Sequence, residues 1–241
     1  MGCGACCKGR FLPLTFSETL KWLNRGHPVV VMLEGFNQGN WPADSAHFDH
    51  HKHRSELVKS GKGTAQAIAI FAANNLTACP NLADDNSCGI YEERPLVCRI
   101  YPREINPFIF MSPREKECPP HSWIQAHSTD LDDIDAHAFS PLIQASRDAD
   151  RADARMKLSA CEMLGLTVAG WKGDGLTLYE PEPQALQAAM LASLAGHRPQ
   201  LQADWTFSLS DGSLREKLSS EGLEIIGKNS QVPLIPLSSK H

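Results

Sequence analysis

The sequence predicts an α+β, helix-rich fold with an irregular cysteine-lined metal-binding core, short strands and a mainly helical C-terminal part. Three observations lead to this fold class. Seven of the eight cysteines precede residue 120. Short β-branched runs alternate with segments whose apolar residues recur at helical spacing. Beyond residue 126 the chain is rich in charged residues and alanine, which favour helices.

Size and charge narrow the class of protein. The 241 residues carry a net charge of −5, which argues against broad nucleic-acid binding. The sequence contains no uninterrupted apolar stretch of about 18 residues, the length that a membrane-spanning helix requires. It also begins without an apolar signal region. We therefore expect a cytoplasmic protein with neither a nucleic-acid nor a membrane partner.

Composition divides the chain into two regions. Residues 1–125 hold the clustered cysteines and are expected to form a metal-binding domain with an inserted segment, 8–78. Residues 126–241 are expected to form a helix-rich region that packs on this domain. The last residues, from about 230, contain two prolines and short polar side chains and are expected to be a loose tail.

The first predicted helix lies near the N-terminus. Residues 12–25 indicate a turn that leads into a helix, with Thr15 or Ser17 as its cap and Glu18 in its first turn. Gly26 follows the last apolar residue at helical spacing, so we expect the helix to end there.

Two apolar segments follow this helix. Residues 29–33 are a β-branched run that predicts a buried strand. The alanine-rich segment 64–76 has its larger apolar residues on one helical face and predicts a helix that delivers Cys79. Residues 61–64, Gly-Lys-Gly-Thr, lack the earlier glycine and the hydroxyl residue directly after lysine that a phosphate-binding loop requires. That kind of site is therefore excluded.

Four histidines, His47, His50, His51 and His53, lie within seven residues. Because Asn, Gly and Pro surround them, we expect a solvated polar loop. In a helix, His47 would face His50 and His51, and the imidazoles could then form a second metal or substrate site. The sequence leaves this alternative open.

The second half of the chain predicts mostly helices. Residues 130–166 combine charges of alternating sign, which are typical of a solvated helix face, with an apolar stripe. The stripe consists of Met156, Ala160, Met163 and Leu164. Cys161 lies off this stripe and is expected to be structural. A short strand at 177–179 and a helix at 182–194 follow.

The clustered cysteines indicate metal ligation rather than disulfides. Cytosolic thiols are kept reduced, and a chain of this length can build its own core. Cys3, Cys6 and Cys7 form a C-x2-C-C group, and the two-residue spacing lets a tight turn aim two sulfurs at one ion. The other candidate ligands, whose spacing matches neither a zinc finger nor a ferredoxin, are Cys79, Cys88, Cys98 and Cys118.

Basic residues accompany these cysteines in the sequence. They are Lys8, Arg10, Arg94, Arg99 and Arg103. Four thiolates around a divalent ion leave a net negative charge, which such cations would neutralise while donating hydrogen bonds to sulfur. The alternative is that they are solvated surface charges, and the sequence does not choose between the two.

These segments resemble the CxxCxxCC family, also called YkgJ-like cysteine-cluster proteins. The resemblance covers roughly residues 1–120 in patches. Its elements are Cys3-Gly4-Ala5-Cys6-Cys7, Cys79-Pro80-Asn81-Leu82, Cys88-Gly89-Ile90-Tyr91, Arg94-Pro95, Cys98-Arg99 and Pro102, with Cys118 as the trailing cysteine. The resemblance implies a domain that chelates zinc or iron. The family pattern has a further cysteine three residues before Cys3; here it would precede Met1, so either this ligand is missing or the true start lies upstream.

Three functions remain open at this stage. The first is a metal-binding protein that holds zinc or an iron–sulfur cluster such as 4Fe-4S, since thiolates suit both metals. A protein partner is also compatible with this role. We prefer ligands drawn from Cys3, Cys6, Cys7, Cys88 and Cys98, with Cys79 and Cys118 as further ligands or redox partners.

Two alternatives belong to other classes of function. The family includes flagellin lysine N-methylases, so the resemblance also implies an iron–sulfur-dependent protein-lysine N-methyltransferase that uses S-adenosylmethionine. The other alternative is a metal-free thiol redox sensor. In it Arg94 or Arg99 would activate paired cysteines.

Overall fold

The chain folds around one mixed β-sheet with helices packed against it. The computed structural model describes residues 3–41, 45–109, 117, 119, 136–196, 199–227 and 234–235. Within these ranges the sheet has nine strands. They are β1 (Arg10–Leu14), β2 (Val29–Phe36), β3 (Glu56–Ser60), β4 (Gly63–Asn75), β5 (Val168–Trp171), β6 (Leu176–Tyr179), β7 (Thr206–Ser208), β8 (Ile225–Ile226) and β9 (Leu234–Ile235).

Six α-helices accompany the sheet in the described part of the chain. They are α1 (Phe16–Asn24), α2 (Ser45–Lys52), α3 (Leu96–Ile100), α4 (Ala136–Met163), α5 (Pro183–Ala195) and α6 (Gly212–Ser220). None of these helices is both long and apolar enough to cross a membrane. The α+β, helix-rich class predicted from the sequence is confirmed as far as a fold that mixes helices with a sheet. Strand β4 has 13 residues and is not the short strand expected, and no cysteine-lined metal core is shown among the described residues.

Strand β4 is the longest strand in the described part of the chain and pairs with three other strands. It runs antiparallel to β2 on one side. On the other side, its residues 63–67 pair with β3 and its residues 71–75 pair with β1. Residues 68–70 therefore have no strand partner on that side among the described residues. Strands β3 and β1 thus leave a gap between them along this side of β4.

The helix predicted for residues 64–76 is wrong, because this segment is β4. Its residues at odd positions, Ala65, Ala67, Ala69, Phe71 and Ala73, are all buried in the main core. That core also contains residues of α4, and small side chains let a helix approach a sheet closely. Helix propensity is a weak preference that tertiary burial overrides.

The helix predicted within residues 12–25 is α1, and the strand predicted at residues 29–33 lies within β2. Both predictions are confirmed. Thr15 caps α1: its Oγ1 accepts a hydrogen bond from Glu18 N at 3.2 Å. In return, Glu18 Oε2 accepts one from Thr15 N at 2.9 Å, so the two residues form a capping box. All eight residues of β2 are buried. Residues 12–14, expected to be a turn, instead belong to β1.

The charged face of α4 is less solvated than the sequence predicts. Asp153 accepts a hydrogen bond from Phe16 N at 2.7 Å, and Lys157 is only 3% exposed. Arg155 pairs with Glu56 of β3 at 2.5 Å. This face fails to be solvated because it packs against α1 and the sheet, so its charges pair across elements.

The predicted apolar stripe of α4 is also partly wrong. Met163 is 52% exposed, whereas Ala154, Leu158 and Cys161 are buried. The buried face of the helix is therefore rotated away from Met163. Cys161 lies fully buried in the core, in keeping with a structural role.

The C-terminal half supplies β5 to β9 to the same sheet. The predicted strand at 177–179 lies within β6, and the predicted helix at 182–194 corresponds to α5. Strand β2 pairs with both β5 and β6, so residues 1–125 and 126–241 contribute to one sheet. Most of the tail expected from about residue 230 lies outside the described residues.

Gly35 in β2 provides a test of the packing at the sheet centre. A methyl group at this position would lie 2.2 Å from Cδ1 of the Phe207 ring. We expect Gly35→Ala to lower the free energy of unfolding by about 1–3 kcal/mol, since an overpacked core must shift. Urea denaturation measures this change.

Gly39 provides the matched control, since a methyl group there meets no atom within 4 Å in the described structure. Gly39→Ala should change the free energy of unfolding by less than about 0.5 kcal/mol. Equal losses in the Gly35 and Gly39 variants would contradict this account of the core.

Candidate metal centre

The first cysteine group forms the tight turn that its spacing predicts. Residues Ala5–Cys7 make one turn of 3-10 helix, and Cys7 N donates a hydrogen bond to Gly4 O at 3.1 Å. Gly4 has a φ of 70°, a left-handed conformation that favours glycine. The turn places Cys6 and Cys7 just before β1, which begins at Arg10.

Pairing between β1 and β4 continues beyond the strand ends and joins two cysteine segments. Gly9 N donates a hydrogen bond to Leu76 O at 3.2 Å, and Cys79 N donates one to Cys7 O at 2.7 Å. Cys7 and Cys79 are thus adjacent in space although 71 residues separate them in the sequence. The end of a strand, not the end of a helix, delivers Cys79.

The segment from Cys79 to Cys88 folds back on itself as a tight loop. Ala83 N donates a hydrogen bond to Ser87 O at 3.0 Å, and Leu82 pairs with Cys88 as an isolated bridge. Asn86, with a φ of 63°, makes the reversal, since asparagine tolerates this region better than most residues. The loop returns Cys88 close to Cys79.

Gly4 and Asn86 bring the first turn against this loop. A methyl group on Gly4 would lie 2.8 Å from Asn86 Oδ1. Only a residue without a side chain therefore allows the two cysteine segments to approach this closely. The sequence gives no signal for this contact, because the two residues are 82 positions apart.

Cys98 comes from a third segment, the short helix α3. Leu96 N at the start of α3 donates a hydrogen bond to Glu18 Oε1 at 2.7 Å. Glu18 also caps α1 through its other carboxylate oxygen. One carboxylate thus fixes α3 relative to α1. The sequence indicated only the capping role of Glu18.

The pKa values of two thiols reflect how close the cysteines are. Burial, followed by the nearby thiols of Cys6, Cys79 and Cys88, raises the pKa of Cys98 to about 12. A side-chain hydrogen bond with Cys6 lowers the pKa of Cys7, against opposing effects of burial and of Cys79. These five thiols therefore interact electrostatically as one group.

The structure leaves the predicted ligand set open in two respects. In the described part of the chain, no group of three or more His, Cys, Asp or Glu side chains has the spacing that holds a metal ion. Cys118 lies outside the described residues. Cys3, Cys6, Cys7, Cys79, Cys88 and Cys98, hereafter the cysteine set, form no disulfide with one another and are partly exposed.

Arg94 is the basic neighbour that acts on the cysteine set. Its charge opposes the rise in the pKa of Cys98, while its guanidinium lies 3.9 Å from the ring centroid of Tyr91. Arg10 instead pairs with Glu117 at 2.5 Å, and Arg99 is exposed. Arg94 thus fits the role of a cation that compensates thiolate charge, whereas Arg99 fits the alternative of a solvated surface charge.

A family model matches the segment that carries the cysteine set. Residues 1–119 match CxxCxxCC, which is described as "Putative zinc- or iron-chelating domain". Residues 1–119 belong to the CxxCxxCC family. The family predicted from the sequence is confirmed. No curated protein and no solved structure matches the chain.

The description of the CxxCxxCC domain names metal chelation and no reaction. The match therefore agrees with a metal as the partner of this segment. It supports neither the methyltransferase nor the metal-free redox sensor.

The histidine-rich segment is a helix rather than the solvated loop expected from its neighbours. His47, His50 and His51 lie on α2, where the rings of His47 and His51 are 4.6 Å apart between centroids. His51 is buried, whereas His53 follows the helix and is exposed. The helix forms because apolar burial of Phe48 against β2 outweighs the local turn preference.

Aromatic packing and an ion pair occupy the surroundings of His51. Its ring lies 4.9 Å from that of Trp41, and its Nε2 lies 3.4 Å from Nζ of Lys172. Lys172 in turn pairs with the buried Glu34 at 3.0 Å. Burial, followed by the charge of Lys172, lowers the pKa of His51 to about 3.

Burial of His51 predicts a loss of stability in mild acid. In the unfolded chain the pKa of His51 has its ordinary value of 6.5, whereas in the folded protein it is about 3. Between these two pH values the unfolded chain is therefore protonated at His51 and the folded protein is not. Stability contributed by the neutral ring is complete above pH 6.5 and falls as pH decreases, by up to about 1.4 kcal/mol per pH unit. Urea denaturation between pH 4.5 and 7 measures this slope.

His51→Gln should reduce the slope between pH 4.5 and 6.5, because glutamine does not titrate. It should not remove the slope, since burial also lowers the pKa of His50, to about 4. His53→Gln is the matched control, since His53 is exposed, and should retain the slope of the unmodified protein. An unchanged slope in the His51 variant would show that another group causes the acid sensitivity.

Proposed function

We propose that this protein binds a zinc ion or an iron centre through thiolates of the cysteine set, with Cys118 as a further ligand. The observation that carries the proposal is the hydrogen bond from Cys79 N to Cys7 O at 2.7 Å. It holds together two cysteine segments that are remote in the sequence. The family description of residues 1–119 as zinc- or iron-chelating supports the same conclusion.

The donor chemistry fits these metals. A closed zinc site and a cubane iron–sulfur cluster each need about four ligands, and both accept thiolates. The cysteine set offers six sulfurs, and Arg94 supplies a nearby positive charge. Because no disulfide joins these six cysteines, metal binding requires no disulfide to be reduced.

Partial burial suits a site that must both admit and retain a metal. The six cysteines are neither fully exposed nor fully buried, so water has limited access to the sulfurs. The raised pKa of Cys98 keeps its thiol protonated in the metal-free protein at neutral pH. Metal binding at Cys98 therefore releases a proton, and metal affinity should increase with pH.

A bound metal would link three chain segments that otherwise meet through few backbone hydrogen bonds. These segments are the turn at Ala5–Cys7, the loop 79–88 and α3. Since such a site is not preformed in the unfolded chain, metal-binding energy contributes to folding. We propose that the centre stabilises this side of the protein.

Metal analysis of the full chain, purified without oxygen, tests the proposal. We expect zinc or iron at one or more equivalents, and Cys79→Ser and Cys98→Ser to reduce that content severalfold because each removes a thiolate. Elemental analysis and the absorption spectrum give metal identity: zinc is colourless, whereas an iron–sulfur cluster absorbs in the visible range.

Two further variants make the result specific. Cys161→Ala removes a thiol that is fully buried in the core, unlike the partly exposed cysteine set, and should retain the metal. Gly4→Ala removes no sulfur but separates the first turn from Asn86, so it should lower metal content. Circular dichroism establishes that each variant is folded.

Three outcomes would overturn the proposal. They are a protein without bound zinc or iron, a loss of metal in Cys161→Ala equal to that in Cys79→Ser, and full metal retention in both cysteine-set variants. The first, together with reversible disulfides, would favour the thiol redox sensor instead.

A further inference from the structure

A cavity of about 630 Å³ lies where β4 changes partner from β3 to β1. Residues 68–70 of β4 pair with β2 but have no strand partner on the side of β3 and β1 among the described residues, and Ile70 of this stretch lines the cavity. Arg54, just before β3, and Leu14, at the end of β1, flank the gap. The volume is within the range of about 300–1,000 Å³ that small-molecule sites occupy.

Most of the cavity wall is apolar. Its apolar members are Phe11, Leu12, Pro13, Leu14, Ile70, Val97, Ile105 and Ile109. Cys6 and Cys98 also line the cavity, so it borders the cysteine set. The wall also carries seven charged side chains, namely Arg10, Arg54, Arg103, Glu104, Glu117, Asp150 and Lys157. Apolar surface combined with polar groups that orient the ligand is the usual composition of a site for an organic molecule.

Two cations share a single carboxylate in this wall. Lys157 Nζ lies 3.7 Å from Asp150 Oδ1, and Arg54 Nη1 lies 3.8 Å from Asp150 Oδ2. Both distances exceed that of a close ion pair, which is about 2.7–2.9 Å. Neither cation is therefore fully neutralised by Asp150.

Lys157 is deeply buried for an ammonium group. Its side chain is 4% exposed, and within the described part of the chain Nζ donates a single hydrogen bond, to Leu14 O at 3.2 Å. An ammonium has three donors. A buried charge is costly unless it is both paired and hydrogen-bonded, so a further acceptor in the cavity would stabilise it.

Arg54 has unused donor capacity of the same kind. Its Nε is buried, and no acceptor in the described part of the chain reaches it. The side chain also lines the cavity. Arg54 and Lys157 come from different elements, the end of the α2 segment and α4, yet both lie beside Asp150.

Neighbouring charges leave this pair close to one positive charge in excess. Asp153 acts electrostatically on Lys157, but its carboxylate accepts the hydrogen bond from Phe16 N and does not line the cavity. The charged residues that do line it are four cations, Arg10, Arg54, Arg103 and Lys157, and three carboxylates, Glu104, Glu117 and Asp150. The charge therefore suits a monoanion better than a dianion.

We infer that this cavity binds a small organic monocarboxylate. Its carboxylate would be held by Lys157 and Arg54, and its apolar body would lie against β1 and Ile70. The ligand would face Cys6 and Cys98, so the site adjoins the proposed metal centre. The two sites share Cys6 and Cys98, but the cations that would hold the carboxylate are not members of the cysteine set, so carboxylate binding does not require the metal.

Calorimetric titration of the full chain with octanoate tests the inference, with octanamide as the uncharged probe of the same length. We expect octanoate to bind about tenfold more tightly than octanamide, because a hydrogen bond to a charged group is worth that ratio or more. Phenylacetate and phenylacetamide provide a second pair of probes with a different apolar body.

Lys157→Met should weaken octanoate binding about tenfold while leaving octanamide binding unchanged. Lys217→Met is the matched control: Lys217 lies on α6 and bonds Asn40, outside the cavity wall. Arg54→Leu removes the second cation and should also weaken octanoate binding while leaving octanamide binding unchanged. This variant is the test of the inference if Lys157→Met fails to fold.

Two results would overturn the inference: no binding of either carboxylate, or equal binding of each carboxylate and its amide. The titrations are made on metal-loaded and metal-free protein. Carboxylate binding without any metal uptake would remove the proposed function alone, whereas normal metal content without carboxylate binding would remove this inference alone.

Discussion

The antiparallel pairing of β4 with β1 is the interaction on which the rest of this structure depends. Its ladder runs from Leu14 opposite Phe71 to Arg10 opposite Asn75, and it continues as backbone hydrogen bonds to Leu76 and Cys79. These bonds bring the N-terminal cysteine turn beside the loop that follows β4. Because the ladder consists of backbone hydrogen bonds within a sheet, it positions the cysteines even before any metal contributes.

The same strand creates the space beside the cysteines. Since β3 and β1 share one side of β4 without meeting, they leave a gap over residues 68–70. Helix α4 crosses near this gap and contributes Lys157 and Asp150 to the cavity wall. One strand thus organises both a cysteine-rich rim and a charged, apolar-lined cavity, and the two share Cys6 and Cys98.

Local sequence signals were reliable where the local chain decides the structure. The capping box of Thr15 and Glu18 depends on four consecutive residues, and the turn at Ala5–Cys7 depends on the C-x2-C-C spacing, so both could be predicted. The signals failed for β4 and α2. Alanines in β4 favour a helix, and Asn, Gly and Pro near α2 favour a loop, but burial against neighbouring elements outweighed both preferences.

Residue types and spacings along the chain were enough to predict the family match of residues 1–119, the candidate thiol ligands and a fold that mixes helices and strands. Each of these can be recognised without knowledge of contacts. The folded chain was needed to show which cysteine segments meet, that Glu18 fixes α3, and that Lys157 and Arg54 line one cavity. These contacts join residues 72 to 103 positions apart, and they follow from sheet pairing and burial, which have no local signature.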